Sequence, residues 1–525
     1  MIKAGTIDDR ENDQRAVLSF MDERVRRGVA KRVDTHISAV FLEPDRVLKI
    51  KRAVRLPFLD YSSLGQRKQA CQDELVVNRR YAPQIYRRVV PITRGADGPE
   101  IDGDGPAIEW AVEMARFDES QTLDHLAARG DVKPEIGEAL ADVLRSSHQQ
   151  AETSDGVAWL ASIAILIDRN TEKFRAQPSL DSAAVGRLHA LSHQWLTECQ
   201  PVLQQRAAAG WVRRCHGDAH LGNVVLIDEK PVLFDAIEFD PAMATTDVLY
   251  DLAFPLMDLV HFGSHRAANR LLNRYLQPNW RDHSDAMRLL SLFLSMRAAI
   301  RAHVLFTKCE QASDVAAATE AKFYLELALR LITPSRPSVV AIGGMSGTGK
   351  SALARDLAGL LQPPPGAIII RTDIIRKELF GVDPLTSLPE EAYRADVTER
   401  VYQTMFDRGR QITTQGLSAI LDAAFLREAE RDALDRKVRD WPATFRPVFL
   451  TADLAVRLSR VASRRGDASD ATRDVAAQQE HYAIGQLSWP QIDASGSPDE
   501  TLQRSATHLL GDRASPDPSL GEDTE

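Results

Sequence analysis

The sequence has few cysteines, and they are widely spaced. Its 525 residues contain four, Cys71, Cys199, Cys215 and Cys309, with no C-x-x-C pair and no cysteine and histidine spacing typical of zinc ligands. This pattern disfavours a disulfide scaffold and a structural zinc site, and it is typical of proteins from a reducing compartment.

The sequence also lacks the apolar core of a signal peptide and a long uninterrupted apolar run. The most apolar run, residues 248–262, is interrupted by Asp251 and Asp258 and is too short to cross a bilayer. These absences predict a cytoplasmic protein with no membrane partner.

No strong excess of positive charge is present. The net charge is −9, with 44% hydrophobic and 26% charged residues, as in ordinary globular proteins. A negative balance disfavours nucleic acid as a partner, although it leaves room for a local basic site. The length predicts about two to four domains.

One stretch has the layout of a phosphoryl-transfer site. Residues 216–223 read HGDAHLGN, and a predicted hairpin over 224–234 leads to Asp235. In protein kinases the Asp of such a loop accepts the proton of the acceptor hydroxyl, while an Asn and a second Asp bind Mg²⁺ on the ATP phosphates. We therefore predict Asp218 as the catalytic base and Asn223 and Asp235 as Mg²⁺ ligands.

A lysine upstream is the candidate contact for the nucleotide. A predicted hairpin over residues 40–51 places Lys49 and Lys51 on one strand face, because strand side chains alternate. Kinases pair such a lysine with a helix glutamate. Lys49 with Glu74 is the predicted pair, and Lys51 is the alternative. The hairpin lacks the G-x-G-x-x-G loop that covers phosphates in protein kinases.

The segment 109–114 alternates apolar and other residues and predicts a strand. Two interpretations stay open: a connection between two lobes, or an ordinary edge strand. Apolar residues at helical spacing dominate the following residues up to 209. A strand-rich start followed by a helical body is the order of a two-lobe kinase.

Residues 35–305 resemble the aminoglycoside phosphotransferase/choline kinase type of small-molecule kinase. The resemblance rests on HGDAHLGN, on Asp235, and on Asp247 and Asp251 downstream. It implies a two-lobe, protein-kinase-like fold and the same roles for the loop Asp, the Asn and the later Asp. It also implies that Asp251 anchors the catalytic loop.

A second phosphate motif follows a Pro/Ser linker at 332–338. Residues 344–351, GMSGTGKS, fit G-x-x-x-x-G-K-[ST], between a β-branched strand and an apolar helix. Backbone N–H groups freed by the glycines would wrap the phosphates, Lys350 would bridge the β- and γ-phosphates, and Ser351 would also bind Mg²⁺. The predicted nucleotide contacts are Gly344, Ser346, Gly347, Thr348, Gly349, Lys350 and Ser351.

Two further apolar strands end in acids. Asp373 is the predicted acceptor base, with Arg371 or Arg376 for an anionic substrate, and Asp422 is a predicted Mg²⁺ group. Residues 338–495 resemble gluconate-kinase and polynucleotide-kinase-like P-loop kinases. That resemblance implies that a lid arginine, Arg464 or Arg465, stabilises the charge of the γ-phosphate.

The tandem order resembles a bacterial family of bifunctional aminoglycoside phosphotransferase/P-loop ATP-binding proteins. The predicted fold combines α+β and α/β: a two-lobe domain over 1–334 with its hinge near 109–116, then a P-loop NTPase domain with a parallel sheet over 335–510. An acidic tail at 511–525 is predicted to be disordered.

The predicted function is Mg²⁺- and ATP-dependent phosphoryl transfer to a hydroxyl of a small molecule, such as a sugar, a polyol or an aminoglycoside-like compound. Two alternatives stay open: one domain senses nucleotide and regulates the other, or the protein is a polynucleotide 5′-hydroxyl kinase. The sequence leaves the oligomeric state undefined.

Overall fold

The structure is a computed structural model. It describes residues 7–56, 59–312, 314–464 and 466–511, without the side chains of 7–12 and 311–312. Arg465 and residues 512–525 of the predicted tail lie outside this description.

The described residues form two compact units. One comprises those within 1–131, 143–165 and 203–258, and the other those within 132–142, 166–202 and 259–525. This division runs through the predicted first domain, so the boundary at 334 stays a prediction.

A six-stranded antiparallel sheet dominates the first part of the chain. Its strand order is β1-β2-β3-β8-β6-β7. The elements are α1 Ile7–Arg26, β1 Lys31–Asp34, β2 Ser38–Leu42, β3 Arg46–Lys51, β4 Arg55–Leu56, β5 Leu59–Asp60, α2 Leu64–Arg79, β6 Tyr86–Gly95, β7 Gly98–Ile101 and β8 Ala107–Ala115. The hairpin predicted over residues 40–51 is confirmed, with Val40 opposite Lys49.

Alternation along β3 separates an apolar face from a charged one. Leu48 and Ile50 point into a core that includes Val17 and Met21 of α1. Lys49 and Lys51 lie on the opposite face, because side chains one residue apart leave a strand in opposite directions. The core thus holds the strand that presents both lysines.

The strand predicted at 109–114 is interior. β8 pairs with β3 on one side and with β6 on the other. The edge-strand interpretation is therefore wrong, since both edges of this strand are hydrogen-bonded.

A mainly helical segment follows, as predicted, and it contains the predicted hairpin before Asp235 and a second two-stranded pair. β10 pairs with β11 and β9 with β12, both antiparallel. The elements are α3 Leu123–Ala128, α4 Pro134–Gln150, α5 Val157–Arg175, α6 Ser182–Ala208, β9 Val212–Arg214, β10 Val224–Ile227, β11 Lys230–Leu233, α7 Pro241–Ala244, β12 Thr245–Asp247 and α8 Val248–His261.

The next helices that the structure describes before the second motif are α9 His265–Leu276, α10 Trp280–His283, α11 Leu289–Ala312 and α12 Val315–Ile332. Within α11, Leu289–Glu310 is long and apolar enough to cross a membrane by length and composition, and it is a different segment from the apolar run at 248–262. Since 67% of its most apolar window is buried in the fold, it has the character of a core helix.

The remaining residues form a five-stranded parallel sheet with helices on it, in the order β14-β15-β13-β16-β17. This confirms the predicted α/β class with a parallel sheet. The elements are β13 Ser338–Gly344, α13 Lys350–Ala358, β14 Ile368–Arg371, α14 Thr372–Leu379, α15 Ala395–Thr414, β15 Ala419–Asp422, α16 Glu428–Lys437, β16 Thr444–Thr451, α17 Leu454–Ser463, α18 Arg473–Gln478, β17 Gln491–Asp493 and α19 Pro498–Leu510.

Helix α9 covers the edge strand β14 of this sheet. The Asn273 side chain accepts a hydrogen bond from the Ile369 N–H at 2.8 Å and donates one to the Ala367 carbonyl at 3.0 Å. Asn269 also donates to the Ala367 carbonyl. An amide side chain thus pairs with the strand edge as a neighbouring strand would.

Candidate active sites

The first candidate site begins with the ion pairs of Lys49. Its Nζ lies 2.8 Å from Glu74 Oε1 and 2.6 Å from Asp235 Oδ1. Burial by itself would lower the pKa of Lys49, but the charges of Asp235 and Glu74 raise it well above its ordinary value. The predicted pair of Lys49 and Glu74 is therefore present, with a firmly cationic lysine.

Glu74 owes its position to the start of α2. Ser63 and Gln66 form a reciprocal capping box that fixes the first turn of this helix. Glu74 lies about three turns further along and is fully buried, with its carboxylate directed at β3. Although burial raises the pKa of Glu74, Lys49 and Lys51 lower it below the usual value.

The loop that carries Asp218 is anchored by a hydrogen bond to Asp251. Gly217 has a φ of 84°, and a Cβ there would lie 2.9 Å from the Ala244 Cβ, so only glycine fits. Its N–H donates to Asp251 Oδ1 at 2.9 Å, and Asp251 Oδ2 lies 3.2 Å from His148 Nε2. Asp251 therefore holds the loop, as expected.

His216 is a second support of this loop. Its Nε2 lies 3.0 Å from the carbonyl oxygen of Phe234, and burial lowers the pKa of the imidazole. A neutral ring with a proton on Nε2 donates to this carbonyl, which ties the Asp218 loop to the residue preceding Asp235.

Asp218 and Asn223 are brought together by the short turn between them. The Asn223 Nδ2 group donates to the Asp218 carbonyl at 2.9 Å and lies 3.3 Å from Asp218 Oδ2. The Asp218 side chain is 41% exposed, which is the access that a base for an incoming hydroxyl requires. Their roles in catalysis and metal binding stay predictions.

The hairpin of β10 and β11 delivers Asp235, as its spacing predicts. Asp228 and Glu229 at its tip have φ values of 50° and 60°, the left-handed pair that closes a two-residue hairpin. Asp235 is itself left-handed, with a φ of 60°, and its N–H donates to the Tyr86 hydroxyl at 3.1 Å. Non-glycine residues in this conformation are often functional.

The donors of this site fit Mg²⁺. Burial would raise the pKa of Asp235, but Lys49 lowers it, so the carboxylate is ionised at neutral pH. The Asn223 amide nitrogen is used by Asp218, which leaves the amide oxygen as the ligand atom. Carboxylate and amide oxygens are the ligands that Mg²⁺ prefers.

The second candidate site is the loop between β13 and α13. Gly347 has a φ of 84° and Gly349 of 94°, and a Cβ on Gly347 would lie 2.5 Å from the Arg457 carbonyl oxygen. Lys350 is the first residue of α13 and donates to the Met345 carbonyl at 3.0 Å. The loop thus has the left-handed glycines and the helix N-terminus of a phosphate-binding loop. The N–H of Ser346, a predicted phosphate contact, donates to the Gln479 side chain at 2.7 Å in this structure.

Ser351 and Asp422 meet directly. The Ser351 hydroxyl donates to Asp422 Oδ2 at 2.6 Å, which joins the start of α13 to the end of β15. Mg²⁺ in P-loop proteins is held by this pair of residue types. The two groups predicted for the metal therefore lie at one point of the sheet edge.

Asp373 lies in the first turn of α14, because β14 ends at Arg371 and not at residue 373 as the sequence suggested. Burial raises the pKa of Asp373. In the part of the chain that the structure describes, its carboxylate has no hydrogen bond or ion pair, unlike Asp422, Asp467 and Asp470. A raised pKa and unengaged oxygens suit a proton acceptor.

The cations proposed for an anionic substrate already have partners. Arg371 binds Asp467 Oδ1 at 3.0 Å and Asp422 Oδ2 at 3.3 Å. Arg376 is buried and donates to the Ala392 carbonyl. Their geometry supports a scaffold role rather than recognition of a substrate anion.

Two arginines outside the predicted nucleotide contacts touch the phosphate loop. Arg457 is buried and lies 3.4 Å from the Ser346 carbonyl, and Arg460 lies 3.5 Å from the Thr348 carbonyl. Arg464 reaches the Ser469 carbonyl at 3.5 Å, and its charge lowers the pKa of Lys350, although burial lowers it more. The role of Arg464 stays a prediction.

Comparison with protein families matches this layout. Residues 43–290 match the Phosphotransferase enzyme family, and residues 339–483 match an AAA domain. The chain joins a phosphotransferase-family domain to an AAA domain. With two kinase-type domains it is a phosphotransferase with a P-loop for nucleotide binding. The phosphotransferase-family domain contains every residue of the first candidate site, and the AAA domain every described residue of the second.

Two mycobacterial relatives cover both domains. An uncharacterized protein of Mycobacterium tuberculosis (strain ATCC 25618 / H37Rv) is 27% identical over 488 residues, which are 91% of this chain and 94% of that protein. An uncharacterized protein of Mycobacterium bovis (strain ATCC BAA-935 / AF2122/97) gives the same values. The tandem order is thus shared along nearly the whole chain.

Solved structures are similar to parts of this chain. A choline/ethanolamine kinase family protein from Mesorhizobium loti has a TM-score of 0.34 and 13% identity, covering 59% of this chain and 99% of its own. A gluconokinase from Sinorhizobium meliloti 1021 has a TM-score of 0.25 and 19% identity, covering 34% of this chain and 94% of its own. Likenesses of this size do not bear on function.

Proposed function

We propose that the phosphotransferase-family domain transfers the γ-phosphoryl group of ATP to a hydroxyl of a small molecule, with Mg²⁺. The observation that carries this is the cation of Lys49 held between Glu74 and Asp235. Together with Asp218 beside Asn223, it supplies a contact for nucleotide phosphates, metal ligands and a base.

Each group has one task in this proposal. Mg²⁺ would be held by Asn223 and Asp235 and would neutralise charge on the phosphates. Lys49 binds the α- and β-phosphates and stays paired with Glu74. Asp218 orients the acceptor hydroxyl and accepts its proton. Positioning and charge neutralisation supply most of the rate enhancement in this class of reaction.

The acceptor of this site is proposed to be a sugar, a polyol or an aminoglycoside-like compound. All three classes present a hydroxyl to a base, and the half-exposed Asp218 carboxylate is open to such a group. A cytoplasmic location is proposed with the same function, since ATP is the donor.

The AAA domain is proposed to hold a second nucleotide and to act as a P-loop kinase. Gly344, Ser346 to Ser351 and Asp422 would hold the phosphates and Mg²⁺, and Asp373 would accept the proton. Its raised pKa and unengaged carboxylate support this role. The internal pairing of Arg371 and Arg376 disfavours the polynucleotide 5′-hydroxyl alternative, which needs cations for the phosphodiester.

A regulatory role for the first site is the competing proposal. The connection between β1 and β2, residues 35–37, contains no glycine, so the usual glycine-rich cover for phosphates is missing. A domain that binds ATP without transferring it would control the AAA domain instead.

One experiment separates these proposals. The full-length protein is incubated with ATP, Mg²⁺ and a panel of hydroxyl compounds, and phosphorylated products are measured for wild type, Asp218→Asn, Lys350→Ala and both together. Loss of a product in Asp218→Asn, by about 10²–10⁴-fold, supports transfer at the first site. Asp228→Asn, a change at the exposed hairpin tip, is the control.

Products that persist unchanged in Asp218→Asn but vanish in Lys350→Ala would contradict transfer at the first site and favour the regulatory role. If neither change alters ATP turnover or product formation, both transfer proposals fail.

A further inference from the structure

Glu74 binds two lysines at once. Its Oε1 lies 2.8 Å from Lys49 Nζ, and its Oε2 lies 2.7 Å from Lys51 Nζ. The two lysines leave the same face of β3, two residues apart. A carboxylate held at both oxygens has little freedom to rotate, so Lys51 fixes the orientation in which Glu74 meets Lys49.

Lys51 also reaches the segment that follows Asp235. Its Nζ lies 2.5 Å from Glu238 Oε1, and the Lys51 and Glu238 side chains are 0% and 4% exposed. Glu238 is three residues beyond Asp235. Two side chains of β3 therefore form ion pairs with this segment: Lys49 with Asp235 and Lys51 with Glu238.

Lys51 is not placed to contact a nucleotide. Its side chain is fully buried, and the ring of Tyr61 lies 5.7 Å from its Nζ. The Lys49 side chain, by contrast, is 12% exposed and contacts Asp235, whose side chain is 43% exposed. One strand thus carries an outer lysine that can reach a ligand and an inner lysine that cannot.

The position of Lys51 matters most if Lys49 loses its ion pair with Asp235. In this structure Asp235 Oδ1 is occupied by Lys49. If this oxygen took a divalent cation as its partner, Lys49 would keep only its ion pair with Glu74. Whether Lys49 then stays in place depends on how firmly Glu74 is held, and Lys51 is the group that binds its other oxygen. Glu238 in turn binds Lys51.

We propose that Lys51 and Glu238 are a positioning pair, which holds Glu74 and the segment after Asp235 so that Lys49 meets the nucleotide phosphates in a fixed place. This inference rests on the proposed nucleotide site of the phosphotransferase-family domain. It adds two residues that act through Lys49 and do not touch the nucleotide themselves.

The test is a double-mutant cycle in the full-length protein. Lys350→Ala is present throughout, so that the P-loop does not contribute. The Kd for ATP with Mg²⁺ and kcat/KM are measured for Lys49→Met, for Lys51→Met and for the double variant. Lys51→Met is expected to lose about 10²-fold in kcat/KM, because misplacing a group by about 1 Å costs this much.

The decisive quantity is the double variant. If Lys51 acts through Lys49, then Lys49→Met with Lys51→Met resembles Lys49→Met alone within about twofold in both Kd and kcat/KM. Multiplied losses would overturn the proposal, since they indicate an independent contact or a general loss of structure. An unchanged Kd and kcat/KM in Lys51→Met would overturn it as well.

Controls separate positioning from folding. Removing a buried charge leaves its partners unpaired and can unfold a protein, so Tm is measured for every variant. Glu238→Gln keeps the shape of the side chain and gives the same cycle with Lys49→Met where Lys51→Met does not fold. Lys31→Met, an exposed lysine on β1 of the same sheet, is expected to leave all values unchanged.

The Kd cycle needs no phosphoryl transfer. A protein that binds ATP through Lys49 but yields no product fails the proposed transfer, while the Kd of the double variant still decides whether Lys51 is a positioning residue.

Discussion

Lys49 Nζ lies 2.6 Å from Asp235 Oδ1, so the cation proposed for the nucleotide phosphates neutralises the carboxylate proposed for the metal. The two groups come from β3 and from the residues after β11, 186 positions apart in the chain. Each holds the other ionised, because the pKa of Lys49 is raised and that of Asp235 is lowered.

Asp235→Asn tests this pairing. The amide removes the metal-binding charge, and we expect kcat to fall by about 10²–10³-fold, as for other groups that stabilise transition-state charge. The apparent affinity for Mg²⁺, measured by titrating the metal at saturating ATP, should fall too. Asp228→Asn is the matched change on the same hairpin. An Asp235→Asn protein with unaltered Mg²⁺ dependence would contradict the metal assignment.

Lys350→Ala tests the second nucleotide site. The wild-type chain is expected to bind two ATP molecules and the variant one, because loss of this cation leaves the triphosphate without its main counter-charge. Calorimetric stoichiometry with Mg²⁺ present measures the difference. Lys437→Ala, an exposed lysine of the same domain, serves as the control and should still bind two. Two sites remaining in Lys350→Ala would exclude the P-loop as a binding site.

Local patterns predicted the parts of each site that lie close together in sequence. The hairpin before Asp235 is marked by turn residues between β-branched runs, and the phosphate loop by its glycines. The pair of Lys49 and Glu74 required an analogy to kinases, because 25 residues separate them and no local rule joins them. No sequence pattern could predict that Lys49 and Lys51 both form ion pairs with Glu74, because this depends on how deeply β3 is buried.

Contacts between residues that lie far apart in the chain were also beyond the sequence. Arg457 and Arg460 resemble an ordinary charged helix face, yet they contact the carbonyls of the phosphate loop. Arg371 has the position of a substrate ligand, yet Asp467 and Asp422 engage it. Which charges pair inside a fold is decided by packing, and periodicity does not report it.

Asp470 predicts a pH dependence of stability. It accepts hydrogen bonds from Lys377 Nζ at 2.6 Å and from the Tyr393 hydroxyl. Burial would raise the pKa of Asp470, but these partners lower it below the usual value of 3.8. A lowered pKa adds stability above the unfolded-state pKa, and this is lost as pH falls through the folded-state pKa.

The measurement is the free energy of unfolding of Asp470→Asn between pH 3 and pH 7. We expect a loss of about 2 kcal/mol at pH 7, the scale of a hydrogen bond to a charged group, with the difference from wild type shrinking below about pH 4. Asp474→Asn, at an exposed position nearby, should match wild type at every pH. If the stability difference between Asp470→Asn and wild type grows as the pH falls, the pKa of Asp470 is not lowered in the folded protein.

Asn273 is expected to stabilise the parallel sheet through its amide. In Asn273→Ala the part-buried N–H of Ile369 loses its acceptor, and we expect a cost of about 1 kcal/mol, the lower end for a donor left unpaired. Asn273→Asp keeps an oxygen for that N–H but loses the donor to the Ala367 carbonyl and to Asn269, so it is expected to be destabilised through the donor side of the amide. Urea unfolding of the full chain compares the three proteins, and equal stability of Asn273→Ala and wild type would refute the role.

Because α9 covers the edge strand β14, the residue at which a shorter fragment begins affects how that fragment behaves. A fragment that begins at residue 335 would lack Asn269 and Asn273. The outer edge of the strand Ile368–Arg371 would then have no hydrogen-bond partners from α9. Open strands of this apolar kind recruit a second molecule. A fragment that begins at residue 335 is expected to self-associate through this edge. A fragment that begins before His265 keeps α9, which covers the edge of β14.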